Sequence, residues 1–232
     1  VSFHFAAGKG GFDKLVRQPL SLALRNANNT TSDKIVLAEI HVSNPHLSQL
    51  VKSLKIWRDR AQSNNIPFFA FSMVREPVSY AISSFEYFCV NPHRKLCKGF
   101  KADTENNLFL TAKPNPQMEF FTQPWHPMER HAKYGSSHPD LEQVYRIFLD
   151  HFEWVGRVEA FQETLLVLES IMGRNFTDQI PEKANTKRGD LNVTNLRNST
   201  LEYLERISWL DRELYGLVET SYKAENYLEA PQ

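Results

Sequence analysis

The chain has 232 residues, 41% of them hydrophobic and 12% aromatic, a composition that fits a packed globule and excludes a disordered polypeptide. Its 27 basic and 27 acidic residues cancel, so no net charge draws it to nucleic acid or to an anionic membrane. No apolar run approaches the roughly 20 residues of a membrane span. The chain opens at Val1, inside an expected strand, as a piece of a longer protein would, with any signal or anchor lying before it.

Residues 1–5 read as a strand, followed by the glycine-rich turn AAGKGG at residues 6–11. A helix is expected over 12–26, interrupted at Pro19. KIVLAEIHV, residues 34–42, is a second buried strand, and residues 45–64 carry the helical spacing Leu47, Leu50, Val51, Leu54, Trp57. Residues 66–74 form an apolar third strand, left through Arg75-Glu76-Pro77. Pro77 suits the first turn of a helix, where its missing N–H costs nothing. That helix runs over 78–90, with Val78, Ile82, Phe85 and Cys89 near one face.

From 91 to 139 the pattern weakens, with prolines at 92, 114, 116, 124, 127 and 139 and no sustained period. Irregular stretches of this length in a compact domain are usually functional or mobile. A helix over 140–151, a short strand over 154–157 and a strongly apolar helix over 161–172 follow. Residues 180–200 are a polar loop, and 201–227 a final long helix or helix pair. Strands alternating with helices predict an α/β fold, one domain over 1–232 with a mostly parallel sheet flanked by helices.

Cys89 and Cys97 are separated by a short polar loop and either form a small disulfide or stay reduced. Asn28, Asn29, Asn175, Asn192 and Asn198 each head a glycosylation sequon, which points to a secretory lumen, where such a bridge survives.

Three strand ends carry chemistry. AAGKGG offers close backbone approach to a phosphate together with the charge of Lys9, without the spacing of a Walker A motif. His41 closes the second strand. Arg75 leaves the third, and Ser83 stands two helical turns further on, so that a guanidinium fork and a hydroxyl reach one phosphate from two sides. The blander reading makes these an ordinary turn, a satisfied histidine, a solvated arginine and a small residue that eases helix packing. A parallel sheet puts all three strand ends at one edge, the usual place for ligands in α/β proteins.

With these residues the chain resembles the Golgi carbohydrate sulfotransferases, in particular the heparan sulfate 6-O- and 2-O-sulfotransferases. SMVREPVSYAISSFEYF is similar to their 3′-phosphate-binding strand and helix, and His41-Val42-Ser43 to the strand end that keeps their base histidine. Asn115-Pro116-Gln117 resembles an asparagine-x-glutamine element of that group. WVGRVEAFQETLLVLESIMG resembles its short strand and helix, and ANTKRGD with WLDRELYGLVETSY its cofactor-covering loop and closing helix. The family's phosphosulfate loop carries lysine, glycines and threonines; here Lys9-Gly10-Gly11-Phe12 keeps the lysine and glycines without the threonines.

The resemblance implies a P-loop-like sulfotransferase fold in a Golgi-luminal domain of a type II membrane protein, the anchor lying outside these residues. It implies 3′-phosphoadenosine 5′-phosphosulfate (PAPS) as cofactor, the bisphosphate PAP as product and no metal. His41 would be the base, and Lys9, with Gly10, Gly11 and Phe12, would hold the phosphosulfate and stabilise the leaving phosphate. Arg75 and Ser83 would hold the 3′-phosphate, and Thr186, Lys187 and Arg188 would close over the nucleotide.

The acceptor would be a glycan hydroxyl, met by the irregular 91–139 insertion, with a small metabolite or lipid as the alternative. Arg94, Lys95, Lys98 and Lys101 are a candidate basic patch. Phe120, Phe121, Trp125 and Tyr134 are either sugar-stacking rings or core. Asp103 to Glu105 and the histidines 126, 131 and 138 remain without an assigned role. No nucleic-acid partner is expected, and the sequence leaves the oligomeric state open. Two rivals keep their place: a nucleotide-dependent kinase, and a catalytically silent relative that binds glycans or proteins.

Overall fold

The structure, a computed structural model, describes residues 2–6, 37–41, 47–90, 105–122, 141–173, 175, 191 and 193–228. The described residues are mostly helical, with short parallel strands, an α/β arrangement. Their contacts divide the chain into two units: Val1–Ala70 with Phe120–Glu153, and Phe71–Glu119 with Trp154–Gln232.

In the first unit, β1 (Ser2–Ala6) lies parallel to β2 (Leu37–His41), in a register that sets Ala6 opposite His41. Helix α1 (Leu47–Gln62) buries Leu54 and Ala61, at helical spacing. It packs against a helix over Leu141–His151, which buries Val144 and Phe148. Arg58 of α1 donates to the His151 carbonyl at 3.1 Å and to the Glu153 carboxylate at 2.5 Å. Its guanidinium also sits 5.5 Å from the Phe68 ring centroid. Phe121, Phe148 and Phe152 meet edge to face, with centroids 5.0 and 5.7 Å apart. Phe121, half-buried, thus takes part in packing.

In the second unit, β3 (Phe71–Val74) lies parallel to β4 (Trp154–Arg157), with Val74 opposite Arg157. The expected strand over 66–74 pairs only in its last four residues; Pro67 has no N–H to give a ladder. Chain order suggested one sheet through all three strand ends, yet the described strands form two separate pairs. The neighbour of β3 comes from some eighty residues further along, a crossover that apolar runs alone do not reveal.

Trp154, Val155 and Gly156 are all buried, so β4 is covered on both faces. A Cβ on Gly156 would stand 2.1 Å from the Thr164 hydroxyl and 2.9 Å from the Met73 sulfur. Only glycine fits there. Thr164 accepts a 3.0 Å hydrogen bond from the Trp154 indole, and this buried pair ties the strand to the helix that follows.

Helix α2 (Pro77–Phe85) follows β3 and runs into a π-helical turn, Glu86–Val90. Two short helices, α3 (Glu105–Thr111) and α4 (Pro116–Thr122), interrupt the region read as irregular. The Leu141–His151 helix is α5. After β4 come α6 (Phe161–Met172), ended by left-handed Gly173, then α7 (Asn198–Ile207), α8 (Trp209–Ser221) and α9 (Glu225–Leu228). The final segment is therefore a helix pair and a short third turn. Val78, Ile82, Phe85, Leu108, Leu196 and Leu204 form one core cluster, with Cys89 packed against its edge. Arg197 joins α3 to the start of α7, pairing with Glu105 at 3.2 Å and donating to Asn106 at 2.7 Å. That contact gives Glu105 a structural role.

Candidate functional site

The exit of β3 is built by its own three residues. Glu76 caps α2, its carboxylate accepting from the backbone N–H groups of Val78 at 3.0 Å and Ser79 at 2.7 Å. Pro77 takes the first helical position, as the sequence predicts. Arg75 is left with its side chain turned to neither task.

Arg75 and Ser83 line one pocket of about 360 Å³, within the range of small-ligand sites, together with Tyr80, Tyr87, Phe88 and Gln117. The π-helical turn carries Tyr87 and Phe88, whose rings meet edge to face at 5.0 Å. Such turns recur at functional sites. Cys89 of the same turn is disulfide-bonded, in a chain that holds two cysteines.

The guanidinium of Arg75 is about one-third exposed, and its Nε is buried without a hydrogen-bond partner. Among the described residues its ion-pair partner is Glu159, whose carboxylate lies 3.8 Å from that Nε. Glu159 is itself held by the Glu76 N–H at 3.1 Å and the Tyr215 hydroxyl at 3.3 Å. A buried donor without a hydrogen-bond acceptor is costly, and Glu159, at ion-pair but not hydrogen-bond distance from it, offsets that cost only in part. Burial raises the Tyr80 phenol above its usual range, and Asp211 and Glu119 add to that against the pull of Arg75. Tyr80 therefore stays protonated near neutral pH and keeps a hydroxyl to donate.

The backbone at Arg75 is clamped. Gln117 accepts from the Arg75 N–H at 2.8 Å and donates to the Arg75 carbonyl at 2.7 Å. The start of α4 is in turn held by the Asp211 carboxylate, which accepts from the N–H groups of Gln117 at 3.0 Å and Met118 at 2.8 Å. Asn115 returns the favour to α8: its carboxamide oxygen accepts from Leu210 at 2.8 Å and Asp211 at 3.4 Å. Asp211 is 1% exposed. Burial raises its pKa to about 6 against the two N–H bonds that favour the carboxylate, with Glu119 adding to the rise.

Arg75 and Ser83 are thus brought together. His41 is the last residue of β2, opposite Ala6. Lys9, Gly10, Gly11, Phe12, Thr186, Lys187 and Arg188 lie outside the described residues, as do Cys97, the helix expected over 12–26 and Asp103. So do Arg94, Lys95, Lys98, Lys101, Trp125, Tyr134 and the histidines at 126, 131 and 138. Sequence reasoning singled out Asn115 and Gln117 only by resemblance, and it missed Glu159 and Asp211. The Asn-Pro dipeptide at 115–116 was the available signal for a turn opening a helix.

Among the described residues no helix is long and apolar enough to cross a membrane, and no group of three or more His, Cys, Asp and Glu side chains could hold a metal ion. A scan against protein-family models finds no match to this chain, and a search among curated proteins likewise finds none.

Proposed function

We propose that the chain is a sulfotransferase of the P-loop-like fold, moving the sulfuryl group of PAPS to a hydroxyl of a glycan or related acceptor in the Golgi lumen. The observation that carries the reading is the pocket that Arg75 and Ser83 line together, with the Arg75 side chain about one-third exposed. A phosphate monoester suits such a donor, because charge-assisted bonds to a guanidinium are the strong ones. The aromatic edge of the pocket, Tyr87 and Phe88, suits a nucleobase or ribose. The disulfide at Cys89 agrees with an oxidising compartment.

Bound PAPS would supply the sulfuryl group, whose bond to the bridging phosphate oxygen breaks as the acceptor oxygen bonds to sulfur. His41 takes the acceptor proton, a task for an imidazole near neutral pH. Lys9, with Gly10, Gly11 and Phe12, would stabilise the charge that builds on the departing phosphate. Arg75 and Ser83 fix the 3′-phosphate and so the orientation of the donor. Thr186, Lys187 and Arg188 would cover the nucleotide, as the resemblance implies. A glycan remains the favoured acceptor, ahead of a lipid or small metabolite. The missing threonines beside Lys9 favour one second reading, a domain that binds the nucleotide or a glycan without turnover.

The test is thermal stability with adenosine 3′,5′-bisphosphate, with ATP and Mg²⁺, and with neither. At a hundredfold excess over Kd, a ligand of the native state adds about 2.7 kcal/mol, or roughly 5–10 °C for a chain this size. Stabilisation by the bisphosphate alone is expected. A response only to ATP and Mg²⁺ would support a kinase, and no response to either would overturn the nucleotide reading. Turnover with labelled PAPS then separates the enzyme from the silent binder, and His41→Ala should abolish it while leaving bisphosphate affinity intact.

A further inference from the structure

We propose that Asp211, acting through the start of α4 and the Gln117 carboxamide, is the positioning residue that holds Arg75 at the anion pocket and makes its grip depend on pH. The inference rests on the reading that this pocket takes a phosphate, and it adds a control of that site from a helix that does not line it.

The chain of contacts is continuous and almost wholly buried. Asp211, 1% exposed, accepts from two successive N–H groups, those of Gln117 and Met118. Gln117, 5% exposed, makes the two-way amide pairing with the backbone of Arg75, as a neighbouring strand would. This pairing extends the hydrogen bonding of β3 one residue past its end and fixes the direction in which the guanidinium leaves. Asn115 locks the same joint from the other side, through its bonds to the N–H groups of Leu210 and Asp211. The Asp211 contacts span 93 and 94 residues of sequence, so nothing local maintains them.

Each Asp211 oxygen serves one N–H. When the carboxyl is protonated, the oxygen that carries the proton is a poorer acceptor, and one of the two N–H groups loses most of its bond. The titratable groups facing Asp211 are Glu119 from α4 and Tyr80 from α2, and among the described residues no cation is paired with it. Burial and Glu119 therefore set its titration, which falls near pH 6. Above that pH the carboxylate holds both N–H groups and Arg75 is fixed; below it the start of α4 loosens and the clamp relaxes.

The experiment measures adenosine 3′,5′-bisphosphate affinity of the whole chain from pH 5 to 8 for wild type, D211N and Q117L, with amide hydrogen exchange at Arg75 read in parallel. At pH 7.5 wild type should bind about fivefold more tightly than D211N, the worth of one hydrogen bond. That gap should close toward pH 5. The ligand's own phosphate titration is common to both proteins and drops out of the ratio. Q117L should lose a similar factor relative to D211N's loss at high pH, and its remaining affinity should show no break near pH 6 beyond that of the ligand.

In both variants the Arg75 amide should exchange about tenfold faster relative to the Val167 amide in α6. A wild-type to D211N ratio that is flat with pH, or unchanged exchange at Arg75, overturns the proposal. If wild type fails to bind the bisphosphate, the nucleotide reading falls and the exchange ratio alone decides whether Asp211 positions Arg75. Should D211N not fold, Q117L carries the same decision from the other end of the relay.

Discussion

Arg75 and Arg157 stand at the carboxyl ends of two paired parallel strands, and they are used in opposite ways. Arg157, 23% exposed, donates to Glu219 and pairs with Glu163 at 3.5 Å. Burial alone would lower its pKa; the two glutamates outweigh that and raise it. Arg75 has one glutamate at 3.8 Å and a buried Nε with no acceptor. The same residue type at the same kind of position is thus a closed structural ion pair in one case and an open donor in the other. What distinguishes the two arginines is unmet hydrogen-bonding capacity, not charge. The N–H groups at the start of α2 are already occupied by Glu76, so an anion in the pocket must be held by the Arg75 side chain and hydroxyls rather than by the helix end.

The most disruptive way to break the contrast is to remove the strand that supports both arginines. Gly156→Ala would place a methyl group against Thr164, Trp154 and Met73, and should cost about 3 kcal/mol or more, read as loss of the folded fraction in urea. Arg75→Ala should weaken bisphosphate affinity by about a hundredfold, the value of two charge-assisted bonds, with little change in Tm. Arg157→Ala should do the reverse. Its two part-exposed pairs are together worth only about 0.5–2 kcal/mol, so Tm should fall by roughly 1–8 °C while affinity per folded molecule is kept. If both substitutions moved the same observable, the contrast would be wrong.

Asp211 sharpens it further. Its carboxyl ionises at 3.8 in the unfolded chain and at about 6 when folded, so the folded state prefers the protonated form. The stability this gives is complete below pH 3.8 and is lost as pH rises to about 6, about 3 kcal/mol in all. Urea melts of wild type and Asp211→Asn across that window should diverge by this slope. The smallest effect belongs to Glu159→Gln. Removing the only counter-charge described near Arg75 should raise bisphosphate affinity about threefold, a gain visible by calorimetry.

The sequence was most readable where one local rule was strong. The strand over Trp154–Arg157 and the helix over Phe161–Met172 fall where the apolar runs put them, and Pro77 announced the start of α2, while the capping role of Glu76 was not read. Two helices in the supposedly irregular region were missed because each has seven residues, two turns, too few to establish a period. Arg75 and Ser83 could be joined in advance because they are neighbours on a strand–helix turn. Gln117 and Asp211 could not: their partners lie 42 and 94 residues away, and no pattern of spacing carries that information.

The reciprocal capping of α4 and α8 also governs when the pocket can come into being. The Asn115 carboxamide and the Gln117 N–H find their partners in residues 210 and 211, near the far end of the chain. During synthesis the strand and helix that bear Arg75 emerge long before those anchors do, and contacts of such long sequence separation close slowly. A nascent chain stopped short of residue 209 would carry every side chain that lines the pocket without the joint that aims its arginine, so competence to bind would arrive late and all at once.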